Sequence, residues 1–270
     1  MIIIRTILIS LIMLVSAPIW AHHYTFSIVP QQSASRLAKQ WSPILKALSE
    51  ETGHEFVFKT TSDIPTFEKN LAKGEYSFAY MNPYHFVVFN QSPGYQAVAK
   101  AKDKMIKGII VVKKDSNITE VEQLNNSEMA FPAPASFAAS ILPQAYLNAA
   151  NVNFTPKYVS SHDSVYLAIA RGFFPAGGGV MRTFNAMPAE IKEQLNPIWT
   201  TKGYTPHAIA AHPSIDSKLR EQVKDFFANL ANTPEGKKVL EPLKIKAFMP
   251  AKNSDWDDVR ALDIDLIQTK

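Results

Sequence analysis

Two polar residues stand where helices are predicted to begin, and their types suit anion binding. Ser136 precedes an apolar run typical of a helix, and His162 precedes a second such run. The first N–H groups of a helix are unpaired and carry a partial positive charge, which favours phosphate, sulfate or carboxylate. The hydroxyl of Ser136, the N–H groups of Phe137 and Ala138 and the imidazole of His162 are therefore candidate donors to one oxyanion. An ordinary N-cap role for Ser136 and a capping or surface role for His162 are the alternatives.

Four further residues are candidates for the same site. Arg182 and Thr183 follow the glycine run 177–179. An arginine matches an oxyanion with paired N–H donors, although a structural ion pair is the alternative. The glycine run is not a phosphate loop, because no Gly-Lys-Ser/Thr follows it. Tyr80 and Asn82 lie at the C-terminal end of a predicted strand, at the edge where open α/β sheets bind ligands. Core packing is the alternative for Tyr80.

Catalysis and metal binding are rival uses of these side chains. Ser136, His162 and Asp163 supply the residue types of a nucleophilic triad, but no Gly-x-Ser-x-Gly elbow surrounds the serine. The sequence therefore predicts a binding protein rather than an enzyme. A transition-metal site would use histidines whose spacing matches no ligand motif, so no metal is expected. Those histidines are His22, His23, His162, His207 and His212.

The N-terminus and the composition indicate the compartment. Arg5 precedes an apolar run that ends at Ala21, which is typical of a secretory signal peptide over residues 1–21, with an uncleaved anchor as the alternative. The chain has no cysteine, so thiolate nucleophiles and thiolate metal sites are excluded. The 28 Lys and Arg and 24 Asp and Glu residues are scattered, which gives no support to nucleic-acid binding. We expect a periplasmic protein.

Strands and helices alternate along the mature chain, which predicts parallel α/β sheets. Two strands, at 95–101 and 107–113, are predicted to pair with each other. One helix is predicted from Ser136 to Ala150, and helices at 214–232 and 234–243 are predicted to finish the chain.

The alternation restarts after residue 114, which predicts two lobes. The predicted division is residues 22–114 plus 205–270 for lobe 1 and residues 115–204 for lobe 2, with crossings near 112–116 and 201–206. Two crossings make a hinge, and we expect the ligand cleft between the lobes.

Several motifs, taken in order and spacing, resemble a known family. They are Arg36-Leu-Ala-x-x-Trp41-x-Pro43, Gly74-Glu-Tyr-x-Phe-Ala-Tyr80, Lys107-Gly-Ile-Ile-Val-Val, Ser136-x-Ala-Ala and Ser161-His162-Asp163-Ser-Val. The mature chain is similar to the phosphate/phosphite/phosphonate periplasmic solute-binding proteins of ABC importers. The resemblance implies a type II periplasmic-binding-protein fold, with two α/β lobes and a hinge.

The resemblance also implies site residues. Ser136 matches the first position of the family's Ser-Thr-Ser helix start, His162 its ligand-contacting histidine, and the segment from Tyr80 to Asn82 the one that carries its cleft aromatic. The next two hydroxyl positions are Phe137 and Ala138 here, which offer only backbone N–H groups.

A second departure concerns the residue after Gly172. Aminophosphonate binders of the family carry an acidic residue there, whereas this chain has Phe173. The resemblance thus argues against aminoalkylphosphonates.

We expect a monomer that captures a small phosphate-, phosphite- or phosphonate-like oxyanion for an ABC permease at the inner membrane, without a cofactor. A periplasmic receptor that reports to a sensor histidine kinase, and a periplasmic transition-metal-binding protein, are the alternatives.

Overall fold

The computed structural model describes residues 22–267, so the predicted signal peptide at 1–21 lies outside the described residues. The strands are β1 (His23–Ile28), β2 (Glu55–Lys59), β3 (Phe78–Met81), β4 (Gln96–Ala101), β5 (Gly108–Lys113), β6 (Ser127–Phe131), β7 (Phe154–Tyr158), β8 (Ala176–Val180), β9 (Leu195–Thr200), β10 (Ala208–Ala211) and β11 (Phe248–Pro250).

The helices cover both sheets. They are α1 (Ala34–Thr52), α2 (Ile64–Ala72), α3 (Pro83–Gln91), α4 (Leu142–Ala149), α5 (His162–Ala170), α6 (Met181–Asn185), α7 (Ala189–Lys192), α8 (Ser217–Asn229), α9 (Pro234–Leu240) and α10 (Asp257–Arg260). A π-helical turn covers Phe137–Ile141, and 3₁₀ turns cover Val121–Leu124, Leu230–Asn232, Glu241–Leu243 and Asn253–Trp256.

The first sheet has the strand order β11-β4-β10-β3-β1-β2. Strand β1 is parallel to β2 and β3, whereas β10 is antiparallel to β3 and β4. Helix α1 buries an apolar face that includes Leu37, Trp41 and Leu48, and it ends at Gly53 in the left-handed conformation. Tyr80 belongs to β3 and lies near the carboxyl end of that strand, beside the second lobe.

The second sheet has the strand order β7-β6-β8-β5-β9. Strand β6 is parallel to β7 and β8, and β5 is antiparallel to β8 and β9. One apolar cluster lies on each face of this sheet. The predicted α/β class with two lobes is confirmed, but both sheets are mixed rather than parallel, because each receives strands that return antiparallel.

The predicted pairing of the strands at 95–101 and 107–113 is wrong. Strand β4 lies in the first sheet, and β5 is an interior strand of the second, paired with β8 and β9. Ile109 to Val112 form an apolar run that is buried throughout, which suits an interior strand better than a hairpin. The first crossing therefore runs between Ala101 and Gly108, not near residues 112–116, and the predicted boundary at residue 114 moves with it.

The two crossing segments touch each other between the lobes. Residues 102–107 lead from β4 to β5, and residues 201–207 lead from β9 to β10. The N–H of Ile106 donates to the carbonyl of Tyr204 at 2.8 Å, and the N–H of Tyr204 donates back at 3.0 Å. This short bridge joins the crossings into one hinge element.

The segment after Ser136 begins with a π-helical turn and continues as α4, so the single predicted helix is divided. Its backbone packs directly on the second sheet. A Cβ at Gly108 would overlap the carbonyl oxygen of Ala138, and a Cβ at Gly178 would overlap that of Ala139. Glycine at these two strand positions is what lets the turn lie this close.

The C-terminal part differs from the prediction of helices alone. Strand β11 adds to the edge of the first sheet beside β4, and α10 follows it. A three-residue edge strand has too short a pattern to be recognised in sequence. Within residues 22–267, no helix is long and apolar enough to cross a membrane.

Candidate functional site

Ser136 and His162 lie next to each other in the structure. Their side chains are buried, and Oγ of Ser136 is 3.3 Å from Nε2 of His162. Ser136 precedes the π-helical turn but makes no side-chain cap hydrogen bond, whereas Ser161 caps α5 by accepting from the N–H of Ser164. The two polar residues at helix starts therefore face one another between the lobes.

Thr183 lies behind His162. Its Oγ1 is 3.0 Å from Nδ1 of His162 and 2.9 Å from the hydroxyl of Tyr166, and it donates to the carbonyl of Val180 at 3.0 Å. Thr183 is fully buried and lines neither cavity described below. It contacts the imidazole from behind, so the predicted ligand contact of Thr183 has no support from the lining of either cavity.

These contacts couple the proton positions on His162 to the hydroxyl orientations of Thr183 and Ser136. If Thr183 donates to Val180, then Nδ1–H donates to Thr183, and Nε2 accepts from Ser136. Donation from Nε2 to an anion requires the other tautomer, with the Thr183 hydroxyl turned to Nδ1. Ser136 and His162 thus satisfy each other here, and a ligand must separate them before both can donate.

His162 is neutral at pH 7. Burial lowers the pKa of His162 to about 3, and the charge of Arg182 adds to the effect. A neutral imidazole offers an oxyanion one hydrogen bond and no charge. The positive charge of the site must come from elsewhere.

A small pocket surrounds the Ser136–His162 pair. Its volume is about 10 Å³, which is room for about one water molecule. The lining residues are Val29, Gln31, Ile64, Asn82, Ile106, Ser136, Phe137, Ala138, His162, Val180 and His207. Phe137 is buried and packs edge-on against Tyr204 of the second crossing. An oxyanion therefore enters this pocket only if the lobes move apart.

Asn82 is engaged within the protein. Its Oδ1 accepts from the N–H of His85 at 2.8 Å and so caps α3. Its Nδ2 donates to the carbonyl of Ala135 in the second lobe at 3.2 Å and lies 3.0 Å from Nε2 of His85. Asn82, which was predicted to contact the ligand, thus also forms a hydrogen bond between the lobes.

A second, larger cavity of about 950 Å³ lies next to the small pocket, and the two share Ile106, Val180 and His207 as lining residues. Tyr80 and Arg182 line it as well. Nη2 of Arg182 is buried and has no hydrogen-bond partner among residues 22–267. A buried guanidinium nitrogen without a partner is costly, and a bound anion would satisfy it.

Tyr80 and His207 form an aromatic wall of this cavity. Their ring centroids are 4.9 Å apart at 19°, and Trp41 packs on the other side of Tyr80 at 4.7 Å. Tyr80 is 3% and His207 4% exposed, and neither side chain hydrogen-bonds to residues 22–267. Both polar groups are therefore available to a ligand.

His207 was not predicted as part of the anion site. It lies in the second crossing, between Pro206 and the first residue of β10, and its place in the sequence does not show that it stacks on Tyr80. Burial, then the charge of Arg182, lowers its pKa well below the ordinary value. An anion beside Arg182 would offset the effect of that charge on the pKa of His207.

The lobes are also joined by contacts at the start of α5. The N–H of His162 donates to the carbonyl of Gln31 at 2.9 Å, and the N–H of Ser33 donates to Asp163 at 3.3 Å. Nη1 of Arg36 is 3.4 Å from Oδ1 of Asp163. These contacts join the segment 31–36 of the first lobe to the start of α5 in the second.

Phe173, the residue that the resemblance compares with an amine-binding acid, is 70% exposed and lines neither cavity. The position of Phe173 in this structure therefore gives no support to the argument against aminoalkylphosphonates.

The histidines do not gather into a metal site in the described part of the chain. Among residues 22–267, no three His, Asp or Glu side chains converge as a metal-binding group. The transition-metal alternative has no candidate centre there.

The fold and sequence match known periplasmic proteins. Residues 26–256 match the family model "ABC transporter, phosphonate, periplasmic substrate-binding protein". The phosphate-import protein PhnD of Mycolicibacterium smegmatis is 22% identical, over 87% of this chain and 83% of that protein. The phosphonates-binding periplasmic protein of Escherichia coli K12 is 22% identical, over 88% of this chain and 75% of that protein.

A solved structure shares the fold. PhnD1 from Prochlorococcus marinus, in complex with methylphosphonate, superposes with a TM-score of 0.81 at 19% identity, over 89% of this chain and 96% of that one. The family consists of periplasmic binding components rather than enzymes, as the sequence predicted, and the predicted periplasmic location is confirmed with it. Over most of its length, the chain belongs to the family of periplasmic substrate-binding proteins of phosphonate ABC transporters.

Proposed function

We propose that this protein captures a ligand with a phosphorus oxyanion group between its lobes and delivers it to an ABC permease. The observation that carries the proposal is Arg182, whose buried Nη2 has no partner in the described residues and lines the large cavity. Tyr80 and His207 add two uncommitted polar groups on the same wall. The names of the relatives, which mention phosphate and phosphonates, agree with this chemistry.

In the proposed complex, Arg182 supplies charge and paired donors, and Tyr80 and His207 each donate one hydrogen bond. Ser136, His162 and the N–H groups after Ser136 add donors once the small pocket widens. Closure around the ligand then presents one fixed shape to the permease, because each lobe contacts the same anion.

Calorimetry with inorganic phosphate and methylphosphonate tests this function. We expect Arg182→Ala to weaken binding by about 10- to 100-fold, since a charge-assisted hydrogen bond is worth about 1.5–3 kcal/mol. The affinity of Arg182→Lys should lie between those of the unmodified protein and Arg182→Ala, because lysine keeps the charge but lacks the paired N–H donors of the guanidinium. Ser136→Ala and His162→Ala should each cost about 1–3 kcal/mol if the small pocket takes part.

Arg171→Ala is the matched control. Arg171 is exposed at the end of α5 in the same lobe and lines neither cavity. Equal affinities of the Arg182→Ala and Arg171→Ala proteins would refute the proposed role of Arg182.

A further inference from the structure

The large cavity is much bigger than a simple oxyanion. It measures about 950 Å³, whereas phosphate occupies on the order of 100 Å³, about three times the share of one water in the liquid. Cavities of several hundred Å³ hold organic ligands of drug size. The ligand that fills this one has a body as well as an anionic group.

The charges around the cavity are almost all of one sign. Seven basic side chains line it, against the single carboxylate of Glu241. They are Lys104, Lys107, Arg182, Lys237, Lys238, Lys244 and Lys246. The lining is thus net +6, while the whole chain is net +4, so the rest of the protein is net negative. The excess positive charge is concentrated here.

None of these seven side chains is neutralised within the described part of the chain. The ion pairs among residues 22–267 involve other residues. Nζ of Lys104 donates to the backbone carbonyl of Lys244 at 2.8 Å. Burial lowers the pKa of Lys104, and the neighbouring charges of Arg182 and Lys246 lower it further. Like charges crowded without counter-charges indicate a polyanionic ligand.

The basic residues come from three parts of the fold. Arg182 belongs to the second lobe, Lys104 and Lys107 to the first crossing, and Lys237 to Lys246 to the C-terminal part of the first lobe. Apolar side chains complete the lining, and they include Met105, Ile106, Met181 and Ile245. A molecule in contact with all of these surfaces bridges the two lobes.

We propose that the ligand is an organic polyanion, a molecule with a carbon body and two or more phosphate or phosphonate groups. One group binds at Arg182, Tyr80 and His207, and the body lies against Met105 and Met181. The remaining charge faces the lysines of the C-terminal part of lobe 1. This inference rests on the proposed function, because it assigns what is attached to the oxyanion.

Calorimetry at physiological salt compares three kinds of ligand. Inorganic phosphate and methylphosphonate are small anions, and fructose bisphosphate and ATP are polyanions. Octylphosphonate is an anion with an apolar tail. We expect at least one polyanion to bind about tenfold or more tightly than either small anion and than octylphosphonate. Its affinity should also fall more steeply with added salt.

The double variant Lys237→Ala/Lys238→Ala separates the lysine contribution from that of Arg182. It should weaken polyanion binding about three- to tenfold, as expected for two exposed charge pairs, and change phosphate binding by less than about twofold. The control is Lys39→Ala/Lys218→Ala, which removes the same charge at exposed positions outside the cavity. This control should bind like the unmodified protein.

The outcomes distinguish the two proposals. Tighter binding of phosphate, methylphosphonate or octylphosphonate than of both polyanions would overturn the polyanion assignment and leave the proposed function standing. So would equal polyanion affinities for the cavity variant and its control. If neither polyanions nor small anions bind, the proposed function itself fails, and the polyanion inference fails with it.

Discussion

At the scale of single residues, the site combines a neutral histidine with an arginine that forms no ion pair within residues 22–267. His162 is buried between Ser136 and Thr183, and Arg182 faces the neighbouring cavity. Burial keeps both His162 and His207 uncharged, and the nearby charge of the arginine adds to the effect, since a second cation there would be repelled. Charge and hydrogen-bond geometry are thus supplied by different side chains.

The neutral state of His162 makes stability depend on pH. Its pKa is about 3 in the folded protein and near 6.5 when exposed, so between these values the unfolded chain binds the extra proton. The free energy of unfolding therefore falls as pH falls through this window, by about 1.4 kcal/mol per unit for one group. Urea denaturation at pH 7.5 and pH 5 should show about 2 kcal/mol more acid destabilisation in the unmodified protein than in His162→Asn.

His23→Asn is the control for this comparison, because His23 is a well-exposed histidine on the first strand. The acid destabilisation should shrink more in His162→Asn than in this control. Equal losses in the unmodified protein and in His162→Asn would mean that His162 is protonated in the fold.

The sequence predicted the residues of the proposed site only in part. Residue type and position at a helix start singled out Ser136 and His162, which the structure brings together, and the residue types also suggested Tyr80 and Arg182. His207 was missed because its role comes from its stacking on Tyr80, a contact between segments far apart in sequence. Thr183 was placed at the ligand because the sequence does not show which side of α6 faces His162.

At the scale of elements, the π-helical turn 137–141 depends on the glycines of the strands beneath it. A methyl group at Gly178 would overlap the carbonyl oxygen of Ala139 and come within 2.8 Å of the Phe131 ring. Neither neighbour can yield easily, since one is backbone and the other is a buried aromatic. The turn, and Ser136 with it, is therefore positioned by strand β8.

Gly178→Ala should destabilise the protein by about 3 kcal/mol, at the upper end of the range for overpacking a core. It should also weaken anion binding, because the turn that carries Ser136 must move. Chemical denaturation followed by circular dichroism measures the first effect.

Gly172→Ala serves as the comparison. Gly172 has a positive φ of 77° but nothing within 4 Å of an added Cβ, so only backbone strain of about 1 kcal/mol is expected. If both variants lose the same stability, the contact with the turn is not what constrains Gly178.

The elements themselves were predictable to different degrees. The apolar face over residues 36–52 and the glycine that follows predict a helix there, and α1 spans Ala34–Thr52. The pairing of β4 with β5 failed because two strands separated by a short link resemble a hairpin, and only the sheets show that the link crosses between lobes. Strand direction was likewise beyond what alternation of elements can determine.

At the scale of the whole molecule, polar contacts join the lobes on one side, and a basic cavity lies between them on the other. The Arg36–Asp163 ion pair, with Asp163 also accepting from the N–H of Ser33, joins α1 to the start of α5. Burial raises the pKa of Asp163, and the charge of Arg36 opposes this. Under the proposed function, these contacts favour the closed form, and the cations of the cavity, which form no ion pair among residues 22–267, resist it until an anion is present.

Arg36→Met should shift the balance toward the open form. The ion pair is partly exposed, so its loss is worth about 0.5–1 kcal/mol, a roughly two- to fivefold change in the ratio of open to closed molecules. Small-angle scattering without ligand should give a larger radius of gyration, and calorimetry a correspondingly weaker affinity.

Lys46→Met is the matched control on the same helix, because the partner of Lys46 is Glu50 within α1. Its scattering and affinity should equal those of the unmodified protein. If Arg36→Met behaves like this control, the ion pair does not hold the lobes together.

The packing of Trp41 on Tyr80 has a practical consequence. The indole is buried one ring away from the cavity, with centroids 4.7 Å apart, so an anion that touches the tyrosine alters the electric field around an intrinsic fluorophore. Trp41 is thus an intrinsic optical reporter. Binding of a ligand that does not absorb light can be followed as a change in tryptophan emission, without an attached dye.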